Sequence, residues 1–157
     1  GCLELARRAS ATANQLLEES AAVYREVGHA DDLGLALACL TIAARGLGDM
    51  SGARRHLCQA LELAVESKAV LPLLWALPAQ ALLLADEGEI QHAVELYALA
   101  SRYPLVTRSR WFADVAGNTL AEVAATLPVE RGVVLKERGQ TRDLEATVAE
   151  LRTELCG

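Results

Sequence analysis

Residues 33–53 read LGLALACLTIAARGLGDMSGA and residues 73–93 read LLWALPAQALLLADEGEIQHA, two apolar helix-forming runs closed by Gly48 and Gly88 at an offset of 40 residues. The self-similarity extends outward: Ala13, Leu17, Glu26, Leu33, Ala36, Leu37 and Gly48 recur as Ala53, Leu57, Glu66, Leu73, Ala76, Leu77 and Gly88. In helical sequence such a period predicts stacked helix pairs, each burying an apolar face on its neighbour. It points to a binding or scaffolding module and away from a globule organised around a catalytic cleft.

Composition agrees, since Ala (29) and Leu (28) supply 57 of the 157 residues and both are strong helix formers. Aromatic content is only 4%, so the core is expected to be built of aliphatic ridges, with Ala letting helices approach closely. A formal charge of −6 speaks against a nucleic-acid surface, which needs a concentrated Lys/Arg face; the pairs Arg7-Arg8 and Arg54-Arg55 do not supply one. Cys2, Cys39, Cys58 and Cys156 show no metal-ligand spacing, and a chain of this length buries a core without disulfides, so they are read as reduced thiols of a cytoplasmic protein.

The longest apolar stretch, 70–85, is interrupted by Pro72, Pro78 and Gln80 and falls short of the ~20 residues that span a bilayer, so no membrane segment is expected. The start, Gly1-Cys2-Leu3-Glu4, has no basic region followed by an apolar run, as a signal peptide would. It lacks an initiator Met and lies partway into a helical pattern, which suggests a fragment of a longer protein.

Helices are expected at 3–8 (the tail of a truncated helix), 11–27, 33–47, 52–66, 72–88, 90–102, 108–126, 129–138 and 142–155. In the first full helix, Leu16, Leu17, Val23 and Val27 are expected to form the inward face. Gly28 and Gly48 suit left-handed C-terminal positions, Gly88 and Gly139 end helices, Asp49 or Ser51 caps the third helix, and Pro72 opens the fourth in its first turn. Ala93, Ala100, Ala116, Ala121 and Ala125 continue the 40-residue register beyond Pro104, so repeats are placed at about 11–50, 51–90 and 91–128, with a C-terminal cap at 129–157.

Gly48-Asp49 with Ala53, Leu57, Ala60 and Leu61, and Gly88-Glu89 with Ala93, Tyr97 and Ala100, resemble tetratricopeptide repeats. The period exceeds that family's usual 34 residues. Longer helices, the run 95–100 with Tyr103-Pro104, then Leu127-Pro128 and the segment 136–151, are similar to the MalT-like C-terminal sensor regions of bacterial STAND-type signalling ATPases and transcriptional regulators. The resemblance implies a single all-α domain, a right-handed α-solenoid of antiparallel helix pairs. It further implies a non-catalytic sensor or interaction module that engages a protein or peptide segment, a small amphipathic inducer, or other domains of its parent. The alternative is a structural scaffold for self-association or intramolecular inhibition.

In that alignment the first helices of the repeats present Leu35, Ala38, Ile42 and Arg45, then Trp75, Pro78, Leu82 and Ala85, then Val115, Asn118 and Glu122 to a concave groove, with Trp75 as anchor. The same residues read equally as a face packed on further repeats. Pro78 is expected to kink its helix beside Trp75. Arg102, Arg108 and Arg110 with Trp111 form either a cationic patch or ordinary helix caps. His29, His56 and His92 have no partner spacing for a metal, no Walker loop or nucleophile elbow is present, and no cofactor or catalytic residue is expected.

Overall fold

The helix boundaries are set by glycines that L-residues replace only with strain. Gly28, Gly48 and Gly88 have φ of 75°, 79° and 84°, the left-handed conformation that turns a chain out of a helix. The closing hydrogen bonds repeat in register: the Asp49 amide donates to the Ala44 carbonyl at 2.9 Å, and the Glu89 amide donates to the Leu84 carbonyl at 2.9 Å. Asp49 caps the next helix, its carboxylate accepting from the Gly52 amide at 2.9 Å.

The computed structural model describes residues 2–157, apart from the side chains of residues 2, 3 and 6, so the expectation for Cys2 lies outside the described residues. Among the described residues the fold is all-helical and no strand occurs. The helices are α1 (Cys2–Val27), α2 (Ala30–Gly46), α3 (Met50–Ser67), α4 (Leu71–Asp86), α5 (Ile90–Ser101), α6 (Pro104–Thr107), α7 (Arg110–Phe112), α8 (Asn118–Ala124), α9 (Val129–Thr141) and α10 (Leu144–Cys156). A π-helical segment, Ala113–Gly117, lies between α7 and α8. Among the described residues no helix is long and apolar enough to cross a membrane.

The described residues form two compact units, residues 2–76 with 151–157, and residues 77–150. In the first unit α2 packs on both α1 and α3. Ala36, Leu37, Leu40 and Ala44 of α2 and Ala53, Leu57, Ala60, Leu61 and Ala64 of α3 are all buried. Gly34 permits a close approach, since a Cβ there would stand 2.6 Å from the Pro72 ring in the first turn of α4. In the second unit α5 packs along α9, and Ala93, Leu96, Leu99, Phe112, Ala116, Leu120 and Leu135 are buried. Arg142 closes this unit with a half-buried ion pair to Glu95 at 3.2 Å and a second to Glu150 at 2.6 Å.

Five expectations are corrected. The segments 3–8 and 11–27 are one helix, because Ser10 and Ala11 carry nothing that stops a helix. In α1 it is Ala21, with Leu17 and Tyr24 part-covered, that turns inward, whereas Leu16, Val23 and Val27 are more than half exposed. The helix expected over 108–126 is continuous only over 110–124 and carries the π segment between α7 and α8, with Ser109 capping α7 through its hydroxyl. Gly139 does not end α9 but is buried inside it, where a Cβ would collide with the Glu95 carbonyl. Finally, Cys58 and Cys156 are joined in a disulfide, their Cα atoms 5.5 Å apart, while Cys39 is a free thiol.

Candidate functional site

The expected groove residues have different fates. Leu35, Ile42, Arg45 and Trp75, in the first unit, are part-exposed. In the second unit Pro78 and Leu82 are buried, so they belong to its core, and Asn118 and Glu122 are exposed. Ala38 is also fully buried. α4 runs through Pro78 without a break in its helical assignment. Arg102 is absorbed as a cap: its guanidinium donates to the Gln140 and Arg142 carbonyls at 3.1 Å each and to the Tyr103 hydroxyl at 3.1 Å. Arg110 pairs with Asp114 at 3.7 Å in an exposed contact.

A cavity that the sequence did not suggest lies within the second unit, bounded by α5, the π segment, α8 and α9. Its volume is about 580 Å³, within the range of small-molecule sites. Val94, Ala98, Leu120, Ala121, Ala124, Ala125, Leu127 and Pro128 give it apolar walls, and Val129 and Val133, which are 83% and 50% exposed, stand at its edge. Four polar side chains join them: Tyr97 and Ser101 from α5, Lys136 and Gln140 from α9. Lys136 and Gln140 are four residues apart on a helix and so share a face. The described residues lining the cavity include neither a histidine nor a carboxylate.

At an offset of 40 residues in the sequence, two buried leucines stand opposite residues of very different size. Gly117 occupies the position 40 residues after Leu77, a fully buried leucine, and Tyr97 occupies the position 40 residues after Leu57, another. The deleted leucine side chain is replaced in part by the tyrosine hydroxyl, which would sit 2.8 Å from a Cβ at position 117. The π segment ends at this glycine, and such a segment shifts the helical register, a device common beside functional sites. Tyr97 is hydrogen-bonded to Ser101, and burial pushes its phenol above the ordinary value, so it stays neutral and offers both a donor and an acceptor.

A second cleft of about 510 Å³ in the same unit is polar, lined by Gln91, His92, Glu95, Arg131 and Arg138 among others. It is bridged by Arg131, which donates to the Gln91 amide oxygen at 2.7 and 3.3 Å.

No protein-family model, no curated protein and no solved structure matches this chain.

Proposed function

We propose that this chain is a non-catalytic ligand-binding module of stacked, tetratricopeptide-like helix pairs, serving as the sensor or interaction end of a larger bacterial STAND-type regulator. The observation that carries the reading is the 580 Å³ cavity, apolar in its walls and cationic at Lys136. Such a site suits a small amphipathic molecule with an apolar body and an acidic group. The in-register caps at Gly48 and Gly88 and the buried Ala36, Ala76 and Ala116 support the repeat architecture.

The reading is tested by titrating the chain with an anilinonaphthalene sulfonate dye and with medium-chain carboxylates in competition. Saturable binding is expected, abolished by Ala121→Phe, which fills the cavity from a part of α8 that is exposed. Lys136→Glu should weaken it about tenfold, the scale of ~1.4 kcal/mol for one charge-assisted contact. A folded protein that binds neither probe, or binds them equally in both variants, refutes the cavity as the site.

A second reading, self-association as a scaffold, is favoured by one observation. Leu5, Leu16, Val23 and Val27 are 75%, 58%, 55% and 59% exposed, and at 3.6 residues per turn they fall within about 40° of one another on α1. Sedimentation velocity of the chain and of its Leu16→Glu variant separates the two readings. A dimer lost in the variant supports the scaffold.

A further inference from the structure

Cys58 and Glu62 stand one turn apart on α3, and Cys156 ends α10; both sulfurs and a Glu62 carboxylate oxygen lie within 4.8 Å of one another. The geometry points to a site for a thiophilic divalent cation, of which Zn²⁺ is the natural example, formed by Cys58, Cys156 and Glu62 when the disulfide is reduced. The disulfide is the oxidised, metal-free form of the same site.

Three arguments converge. First, a tetrahedral Zn²⁺ with Zn–S of about 2.3 Å holds two sulfurs roughly 3.8 Å apart. Cysteines whose Cα atoms are 5.5 Å apart reach that spacing by side-chain rotation alone. Second, the Glu62 carboxylate lies beside both sulfurs. Beside two thiolates it would complete a cluster of like charge, which a bound cation neutralises. Third, two sulfurs and one oxygen select Zn²⁺ over Mg²⁺ or Ca²⁺, whose ligand sets are all oxygen. All three side chains are at least part-exposed, which leaves the fourth position to water. Sequence spacing hides the site because the cysteines are separated by 98 residues.

The chemistry is balanced. A dithiol reductant gives two electrons and two protons to the S–S bond, leaving the Cys58 and Cys156 thiols and becoming a disulfide itself. The cation then displaces both thiol protons to solvent as two S–metal bonds form. Reduction and metal loading would therefore exchange one clasp between α3 and the end of α10 for another.

The test uses the intact chain reduced with a phosphine, which becomes a phosphine oxide with oxygen from water, and is then freed of reductant without air. Titration with Co²⁺ should give a sulfur-to-cobalt charge-transfer band saturating near about one ion per chain, bleached by added Zn²⁺. The oxidised protein should show no band, and Cys39→Ser, at the part-buried free thiol, should leave the titration unchanged. Glu62→Gln should weaken Co²⁺ binding about tenfold or more and alter the visible d–d bands. A reduced protein without the charge-transfer band overturns the site, whether its helical circular dichroism is retained or lost. A Glu62→Gln protein that titrates like the parent overturns the assignment of the carboxylate.

Discussion

Replacing each of two glycines of α9 by alanine should shift stability in opposite directions. At Gly132 a new Cβ meets nothing within 4 Å. Gly132→Ala should therefore stabilise by the difference in helix propensity, about 0.5–1 kcal/mol. At Gly139 the same methyl collides with the Glu95 carbonyl oxygen and lies 2.6 Å from the Ala98 Cβ, both on α5. Carbon atoms in contact prefer about 3.5–4.0 Å, so α9 must retreat by on the order of 1 Å. Leu135, 1% exposed and one turn away, would lose part of its contact with α5. Overpacking of this kind costs about 1–3 kcal/mol, more where the obstacle is backbone. Against a propensity gain of up to about 1 kcal/mol, the expected net loss is roughly 0–2 kcal/mol, and the two variants, which share that gain, should differ by the overpacking cost of roughly 1–3 kcal/mol. Urea unfolding followed by far-ultraviolet circular dichroism measures both. If Gly139→Ala raises the midpoint as Gly132→Ala does, the close packing of α5 on α9 is refuted.

Three further outcomes are expected. Reducing the Cys58–Cys156 disulfide, which closes a loop of 98 residues, should lower the urea midpoint by the equivalent of about 2–4 kcal/mol when no metal is present. Gly48→Ala and Gly88→Ala should each destabilise by about 1 kcal/mol, since both force a side chain into the left-handed region; equal costs at the two positions would support their equivalence in the repeat, and a cost at neither would refute the capping role. The His56 pKa is lowered by burial and by Arg55, against the opposing influence of Glu18, Asp49 and a hydrogen bond with Gln59, and its Nδ1 has no partner among the described residues. The unfolded chain thus takes up this proton first as pH falls through 6.5. The stability contributed by neutral His56 is full above that pH and is lost below it, levelling off under the folded-state pKa. His56→Gln should flatten the slope of midpoint against pH in this window, and an unchanged slope would refute the assignment.

What was legible in the sequence was whatever depends on local chemistry. The left-handed turns at Gly28 and Gly48, the end of α4 before Gly88, the Asp49 cap and Pro72 in a first turn are decided within a few residues, and all are present in the structure. The 40-residue register located some buried positions as well: Leu37 and Leu77 are both buried, whereas Leu57 is buried and its counterpart Leu17 only part-covered. Periodicity failed where it could not assign a side. In α1 the stripe of Leu16, Val23 and Val27 is regular, yet a regular stripe does not state which neighbour is there to cover it. Gly139 was misread as a terminator for a related reason: a glycine in a helix signals either an end or a close approach, and only the facing Glu95 carbonyl decides. The Cys58–Cys156 pairing depends on two helices 98 residues apart in sequence, beyond the reach of any local spacing rule.

Leu37, Leu57 and Leu77 are all buried, and an interior packed with such side chains offers little room for a ligand. At an offset of 40 residues from Leu57 and Leu77 the chain carries Tyr97 and Gly117, which differ from leucine in opposite senses of size. Tyr97 puts a longer side chain with a polar end where Leu57 ends in methyl groups, and Gly117 removes the side chain that Tyr97 would otherwise strike. Either change alone is unfavourable, since a tyrosine against a leucine overpacks, and a glycine against a leucine leaves an unfilled void. Together they leave a phenol hydroxyl and an opening walled by α8 and α9. The break from α-helix to π-helix falls at the same place, with its last residue at Gly117. Tyr97 and Gly117 stand against each other and both line the cavity, so its wall between α5 and the π segment is shaped by a large side chain seated where its neighbour has none.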